Sequence, residues 1–298
     1  RRLFREHGAD IVHVRSRLPA WLGWLALRGM PEAARPRFAT TVHGLNSPSR
    51  YSAIMARGER VVCVSDSVRA HVLRHYPATD PRRLRVIPRG IDPAAFPRLV
   101  GRDPAARAAI AEAHPALGGE GPLLLVPGRG TRLKGHADAI SLLARLRAGG
   151  QDARLWMPGA VQDGRDAYLG ELQRLAADAG VDAALAMTEP TAGMAAAYAA
   201  SDLVLQLSRK PEAFGRTVVE ALAVGRPVLG WAHGGVGDLL AELQPAGAVP
   251  PFDAAALSEA AGRLLAHPPQ PPATMRYTLA AMQEATLALY VEMMGDAG

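Results

Sequence analysis

Short apolar runs alternating with amphipathic stretches constrain the fold of this chain most tightly. In the first half, "ADIVHVRS" (9–16), "RFATTVHG" (37–44), "RVVCVSD" (60–66) and "LRVIPRGID" (84–92) read as strands. "LPAWLGWLALRG" (18–29) and "SVRAHVLRHY" (67–76) read as helices between them. Strands that alternate with helices predict a parallel sheet covered on both faces. Each strand runs into a polar or glycine-bearing turn: Ser16, His43-Gly44, Ser65-Asp66 and Arg89–Asp92. Carboxyl ends of strands are where open α/β sheets bind ligands, so these turns are candidate site positions.

Residues 93–121 are rich in Ala, Pro and Gly and read as a helix plus linker. The pattern then restarts with strands at 122–130, 153–159, 183–189, 202–208 and 227–235. Helices are expected at 136–150, 167–180, 193–201 and 253–267, with a loop and helix in 208–230. A proline-rich break, "HPPQPPA", precedes a last helix, "YTLAAMQEATLALYVEMM". The expected organisation is a first α/β domain over 1–115, a second over 116–270 and a terminal helical segment over 271–298. A chain of 298 residues has room for about two such domains.

Composition narrows the function classes. Mean hydropathy of +0.02 argues against a chain built of membrane spans. No apolar run reaches the roughly 18 residues a spanning helix needs, and no signal peptide is visible. The single cysteine, Cys63, forms neither an internal disulfide nor a zinc site and fits a reducing, cytoplasmic setting. The chain starts on "RRLFREHGAD" without a methionine, in what reads as mid-helix, which suggests a late start. Residues 1–118 carry 20 basic and 9 acidic side chains, against 14 and 19 in 119–298. A first half at +11 suits a phosphate-bearing partner or an anionic membrane surface; an arginine-rich genome gives the same bias. Only Lys134 and Lys210 among the 34 basic residues are lysine. Retention of lysine where arginine is the rule hints at a need for a compact point charge.

Two stretches carry chemistry. "PLLLVPGRGTRLKG" is a buried strand entering a glycine turn before a helix, where backbone N–H groups and the helix N-terminus favour phosphate. It lacks the third glycine of a dinucleotide fingerprint and the Gly-Lys-Ser/Thr of a P-loop. Arg129 and Lys134 offer a fork and a point charge to a diphosphate, or are two ordinary cations on a solvated turn. "SRKPEAFGRTVVEALAVGRPVLG" (208–230) sets Glu212 before a helix and Glu220 on it. Carboxylates accept paired bonds from vicinal hydroxyls, so Glu212 suits a sugar and Glu220 a ribose. The backbone of Phe214, Gly215 and Arg216 lies between, at a helix N-terminus suited to phosphate. Two solvated surface carboxylates are the plain alternative.

Together these residues resemble glycosyltransferase family 4, retaining enzymes of the GT-B fold. "PEAFGRTVVEALAVGRPVLGWAHGG" is similar to its Glu-x7-Glu block, and "GRGTRLKG" to its donor-phosphate turn. "DIVHVRS", "TTVHG", "VVCVSDSV" and "RVIPRGID" resemble successive strand ends of its first domain. The resemblance implies two Rossmann-like domains facing across a cleft, the first lacking its opening strands. It implies that His43 and Glu212 act at the reacting sugar, and that Arg129, Lys134, Phe214, Gly215, Arg216 and Glu220 bind the donor. No metal and no cofactor is expected; the donor is a nucleotide-diphosphate sugar. The implied acceptor is a glycan or glycolipid, lipopolysaccharide first, with the enzyme peripheral on the inner membrane. His13 and His233 are assigned structural roles, and Asp238 a helix-capping one. Arg89 stands where the family often has asparagine.

Competing readings are a nucleotide-sugar epimerase on the same architecture and a nucleotide-sugar-binding protein without turnover. Nucleic-acid binding ranks last, because no recognition motif accompanies the arginines.

Overall fold

A computed structural model describes residues 1–295; the last three positions of the expected terminal segment lie outside the described residues. The chain divides into two compact units. The first comprises Arg1–Gly90, the short segment Glu212–Phe214 and the chain from Arg276 onward; the second comprises Ile91–Pro211 and Gly215–Met275.

The first unit is built on four parallel strands in the order β1-β2-β3-β4: β1 (Ile11–Val14), β2 (Arg37–Val42), β3 (Arg60–Cys63) and β4 (Leu84–Val86). The register pairs Val14 with Thr40, Val42 with Cys63 and Cys63 with Val86, so all four strands end on one edge. A short helix, α1 (Arg2–Glu6), precedes β1. α2 (Arg17–Arg28) joins β1 to β2 and buries Ala20, Gly23 and Leu27, spaced for one helical face. Its opposite face leaves Leu18, Leu22 and Leu25 exposed. Trp21 and Trp24, half-buried, meet edge to face at 5.5 Å with Arg57 over both rings. α3 (Asp66–His75) is capped by Ser65, whose Oγ accepts from Val68 N at 3.1 Å. Cys63 is fully buried, and burial pushes its thiol up to about 12.

The second unit holds six parallel strands in the order β10-β9-β8-β5-β6-β7. These are β5 (Leu123–Leu125), β6 (Arg154–Pro158), β7 (Leu185–Thr188), β8 (Leu203–Gln206), β9 (Val228–Trp231) and β10 (Ala248–Val249). The chain adds β6 and β7 on one side of β5, then returns to build β8, β9 and β10 on the other. The reversal between β5 and β8 is the switch point at which doubly wound sheets open a crevice. Helices α4 (Pro104–Ala113), α5 (His136–Ala148), α6 (Asp166–Asp178), α7 (Met194–Ala200), α8 (Arg216–Val224), α9 (Gly234–Leu243) and α10 (Ala254–Ala266) complete the unit. The strand residues of β5 and β8 are wholly buried, as a sheet covered on both faces requires.

The last helix, α11 (Leu279–Gly295), belongs to the first unit. Its Leu289 and Met293 pack with Ala39, Val62 and Ile87 from the first sheet. Glu292 pairs with Arg60 at 2.8 Å and Arg85 at 2.6 Å. The hydroxyl of Tyr290 meets His13 Nδ1 at 2.6 Å, and His13 Nε2 meets Thr41 Oγ1 at 2.6 Å. His13 is therefore a structural link between sheet and helix. One expectation fails here. Asp238 does not cap α9: that helix starts at Gly234 with His233 at its N-cap, which puts Asp238 inside the helix.

Candidate functional site

Parallel βα topology carries every strand end of the second sheet to one edge, followed there by a helix N-terminus. The turn after β5 holds Arg129 and Lys134. Its shape depends on Gly135, which has φ +73°, and a Cβ there would stand 2.0 Å from the carbonyl of Leu207. Leu207 directly follows β8, so the turns on either side of the switch point touch at this glycine. Arg209 N also donates to Leu133 O at 2.8 Å, and the Arg209 guanidinium pairs with Asp138 at 2.7 Å. The aliphatic chain of Lys134 lies over Gly128, 3.3 Å from where a Cβ would sit. Arg129 is exposed, and no hydrogen bond or ion pair ties its side chain to another described residue.

Beyond β8 the chain reaches Gly215, at φ +116°, which caps α8. A Cβ there would meet Val236 at 3.0 Å, so glycine lets α8 start against α9. Glu220 is the fifth residue of α8, a little over one turn in. It is 8 % exposed. Tyr198 OH, from α7, donates to its Oε2 at 2.9 Å, and Arg216 Nη2 donates to its Oε1 at 2.8 Å. Burial first, then the Glu220 carboxylate, pushes the Tyr198 hydroxyl well above its usual range, so it stays a donor. Each carboxylate oxygen holds one partner and keeps a further acceptor direction. Arg216 lies across Glu220 with most of its side chain exposed. Sequence reading missed Tyr198. Its signal was a lone hydroxyl in the Ala-rich run "AAAYAAS", since a buried Tyr O–H usually needs a partner.

In the first unit, a cavity of about 260 Å³ opens where β1 and β2 end. Arg15, Ser16, Arg17, His43 and Asn46 are its main polar lining, and no carboxylate is among its lining residues. His43 follows β2 directly, and Arg89 Nη2 donates to its Nδ1 at 2.9 Å. Burial first, then the Arg89 and Arg15 guanidinium groups, lowers His43 to about 4. Arg17 donates to Ser52 Oγ at 3.3 Å, whereas Arg15 is exposed and has no hydrogen-bond or ion-pair partner among the described residues. Sequence reading did not single out Arg15 or Arg17, nor see Arg89 at His43.

The segment Glu212–Phe214 groups with the first unit. Ser65 Oγ donates to Ala213 O at 2.6 Å, and the Phe214 ring meets Tyr277 edge to face at 5.7 Å. Glu212 is half-buried, and Phe214 is buried. Among the eight residues singled out, Arg129, Lys134, Gly215, Arg216 and Glu220 lie at one edge of the second sheet. His43, Glu212 and Phe214 belong to the first unit. No group of three or more His, Cys, Asp or Glu side chains that could hold a metal occurs among the described residues.

Known proteins share this chain's arrangement. Residues 1–95 match the family described as Glycosyltransferase Family 4, and residues 110–279 match Glycosyl transferases group 1. A D-inositol 3-phosphate glycosyltransferase of Xylanimonas cellulosilytica is 31% identical over 274 residues, which are 86% of this chain and 64% of that protein. The chain thus spans less than two thirds of the length of that curated relative. A glycosyltransferase from Rickettsia africae superposes with a TM-score of 0.84 at 25% identity, covering 98% of this chain and 79% of the other. Anabaena HepE, solved with UDP and glucose, has a TM-score of 0.79 at 20% identity over 96% of this chain and 79% of its own, a likeness of fold. The α/β class and the GT-B-like fold expected from sequence agree with these matches.

Proposed function

The chain belongs to glycosyltransferase family 4, and on that premise we propose that it is a retaining glycosyltransferase. It moves a sugar from a nucleoside-diphosphate sugar to an acceptor that carries a phosphate or similar anion. The observation that carries the donor half is the edge of the second sheet at the switch point. There Arg129 and Lys134 supply cationic donors, the N-termini of α5 and α8 supply backbone N–H groups, and Glu220 is a buried, oriented carboxylate. Phosphate at the cations and helix ends leaves Glu220 to accept from ribose hydroxyls, each such bond contributing roughly 1.5–3 kcal/mol. When the sugar–phosphate bond breaks, negative charge grows on the diphosphate, and the fixed cations and dipoles stabilise it. Glu212 and the backbone of Phe214 take the sugar side of this reading, with His43 at the reacting centre.

The acceptor half is supported by the cavity at the ends of β1 and β2. Two arginines and a neutral histidine, with no lining carboxylate, favour an anionic group. Lipopolysaccharide, the acceptor expected from sequence, is one member of that class, and a phosphorylated polyol is another. An anionic membrane, met from the cytoplasmic side, is the surface in this account. The exposed leucines of α2 and the neighbouring Arg17, Arg28 and Arg57 support it. No described helix is long and apolar enough to cross a membrane.

The test is product analysis. Incubation with UDP-, GDP- and ADP-sugars and a phosphorylated acceptor should release nucleoside diphosphate in step with a glycoside that keeps the donor's anomeric configuration. An inverted product, or an altered free nucleotide-sugar in the absence of acceptor, would sink the reading; the second result favours an epimerase.

A further inference from the structure

We propose that Arg89 is a positioning residue that fixes His43 as the Nε2–H tautomer, so that His43 serves as a hydrogen-bond donor through Nε2 and not as a base. The role in transfer rests on the glycosyltransferase reading; the tautomer does not. A guanidinium has five N–H donors, no acceptor, and does not deprotonate in proteins. Its 2.9 Å contact therefore requires a lone pair on His43 Nδ1. A neutral imidazole with a lone pair on Nδ1 carries its proton on Nε2. Nε2 has no partner among the described residues, which leaves its N–H for a bound oxygen.

Sheet topology explains why an arginine does this. His43 follows β2 and Arg89 lies beyond the end of β4, with β3 between them. Strands stand about 4.8 Å apart, so the two positions are separated by roughly 10 Å across the sheet edge. A long side chain spans that gap and a short one does not. The charged groups around the ring act in the same direction. Arg89 and Arg15 both disfavour an imidazolium, and His13 adds to them. Protonation of Nδ1 would also break the bond to Arg89. His43 consequently stays neutral through the physiological range, and a pH-independent donor results.

The test is long-range proton–nitrogen NMR of the histidine rings against pH, with His43 assigned by the signal lost in His43→Gln. The parent should show the Nε2–H tautomer and no His43 titration between pH 5 and 8. Arg89→Met should mix the tautomers and move the His43 pKa upward from about 4. Arg89→Lys keeps a long cationic donor, so it should retain both the tautomer and the low pKa. Arg15→Met should raise the pKa and leave the tautomer intact. An Nδ1–H tautomer in the parent, an ordinary titration near 6.5, or an Arg89→Met spectrum unchanged in a folded protein would each overturn the proposal. In transfer assays, Arg89→Met should gain an acid limb in its kcat profile. No transfer by any variant, with the NMR result as expected, would overturn the enzymatic reading and leave the tautomer standing.

Discussion

Glu220 shows how a charge is kept usable inside a fold. Glu220 is buried, and Tyr198 and Arg216 each give its carboxylate a hydrogen bond. Tyr198→Phe removes the partner that fixes one oxygen. Its expected cost is about 1–3 kcal/mol in stability, together with a higher KM for the donor sugar and little change in kcat. Chemical denaturation and steady-state kinetics on one preparation read both. An unchanged KM would separate Tyr198 from the site. Gly135→Ala should cost more than about 1 kcal/mol, because its φ is positive and the new Cβ meets the Leu207 carbonyl. A melting temperature equal to the parent's would show that the turn can shift without loss. The Tyr198 partner of Glu220 and the Arg89 neighbour of His43 were illegible in sequence for the same reason. Tyr198 is 22 positions from Glu220, and Arg89 is 46 from His43. Sequence spacing gave no account of which side chains the sheet edges bring together.

At the scale of elements, α11 is a strap tied to the first sheet by three kinds of contact. Leu289 and Met293 enter the core, Tyr290 bonds His13, and Glu292 bridges Arg60 and Arg85. The ion pairs are partly exposed, so the apolar contacts dominate. Leu289→Ala should destabilise by about 2–5 kcal/mol. Glu292→Gln should cost less than about 1 kcal/mol. Amide hydrogen exchange over 279–295 checks the order; equal protection in both variants would contradict it. The main strands and helices were visible as alternating periods, because period and end signals are local. β10 was not, since two residues give no period to read. Asp238 was misplaced because an acidic residue after a glycine pair looks like a cap until the true helix start, at Gly234, is known. The reversal of strand order at β5 and β8 is not written in any segment. It emerges only when the sheet is assembled, and it is what gives Arg129, Lys134 and Glu220 a common edge.

For the whole molecule, pH acts first through three imidazoles that are wholly or partly buried. His13, His43 and His136 are all lowered to about 4, mainly by burial, against 6.5 in an unfolded chain. Between these values the unfolded chain binds more protons than the native one, so stability rises with pH across that window. Melting temperature should therefore be highest above pH 6.5 and fall steadily toward pH 4. A flat profile would show that the rings titrate normally. The central claim is that the edge of the second sheet binds a nucleoside diphosphate, and a thermal-shift panel with UDP, GDP, ADP, CMP and dTDP tests it most directly. One diphosphate at a hundred times its Kd should add about 2.7 kcal/mol. That corresponds to a rise on the order of 5–10 °C for a chain of this size. Arg129→Ala and Lys134→Ala should lose most of that rise while melting near the parent without ligand, and Glu220→Gln should lose it from a lower starting melting temperature. No shift with any diphosphate, in a chain that circular dichroism shows to be folded, would contradict the account.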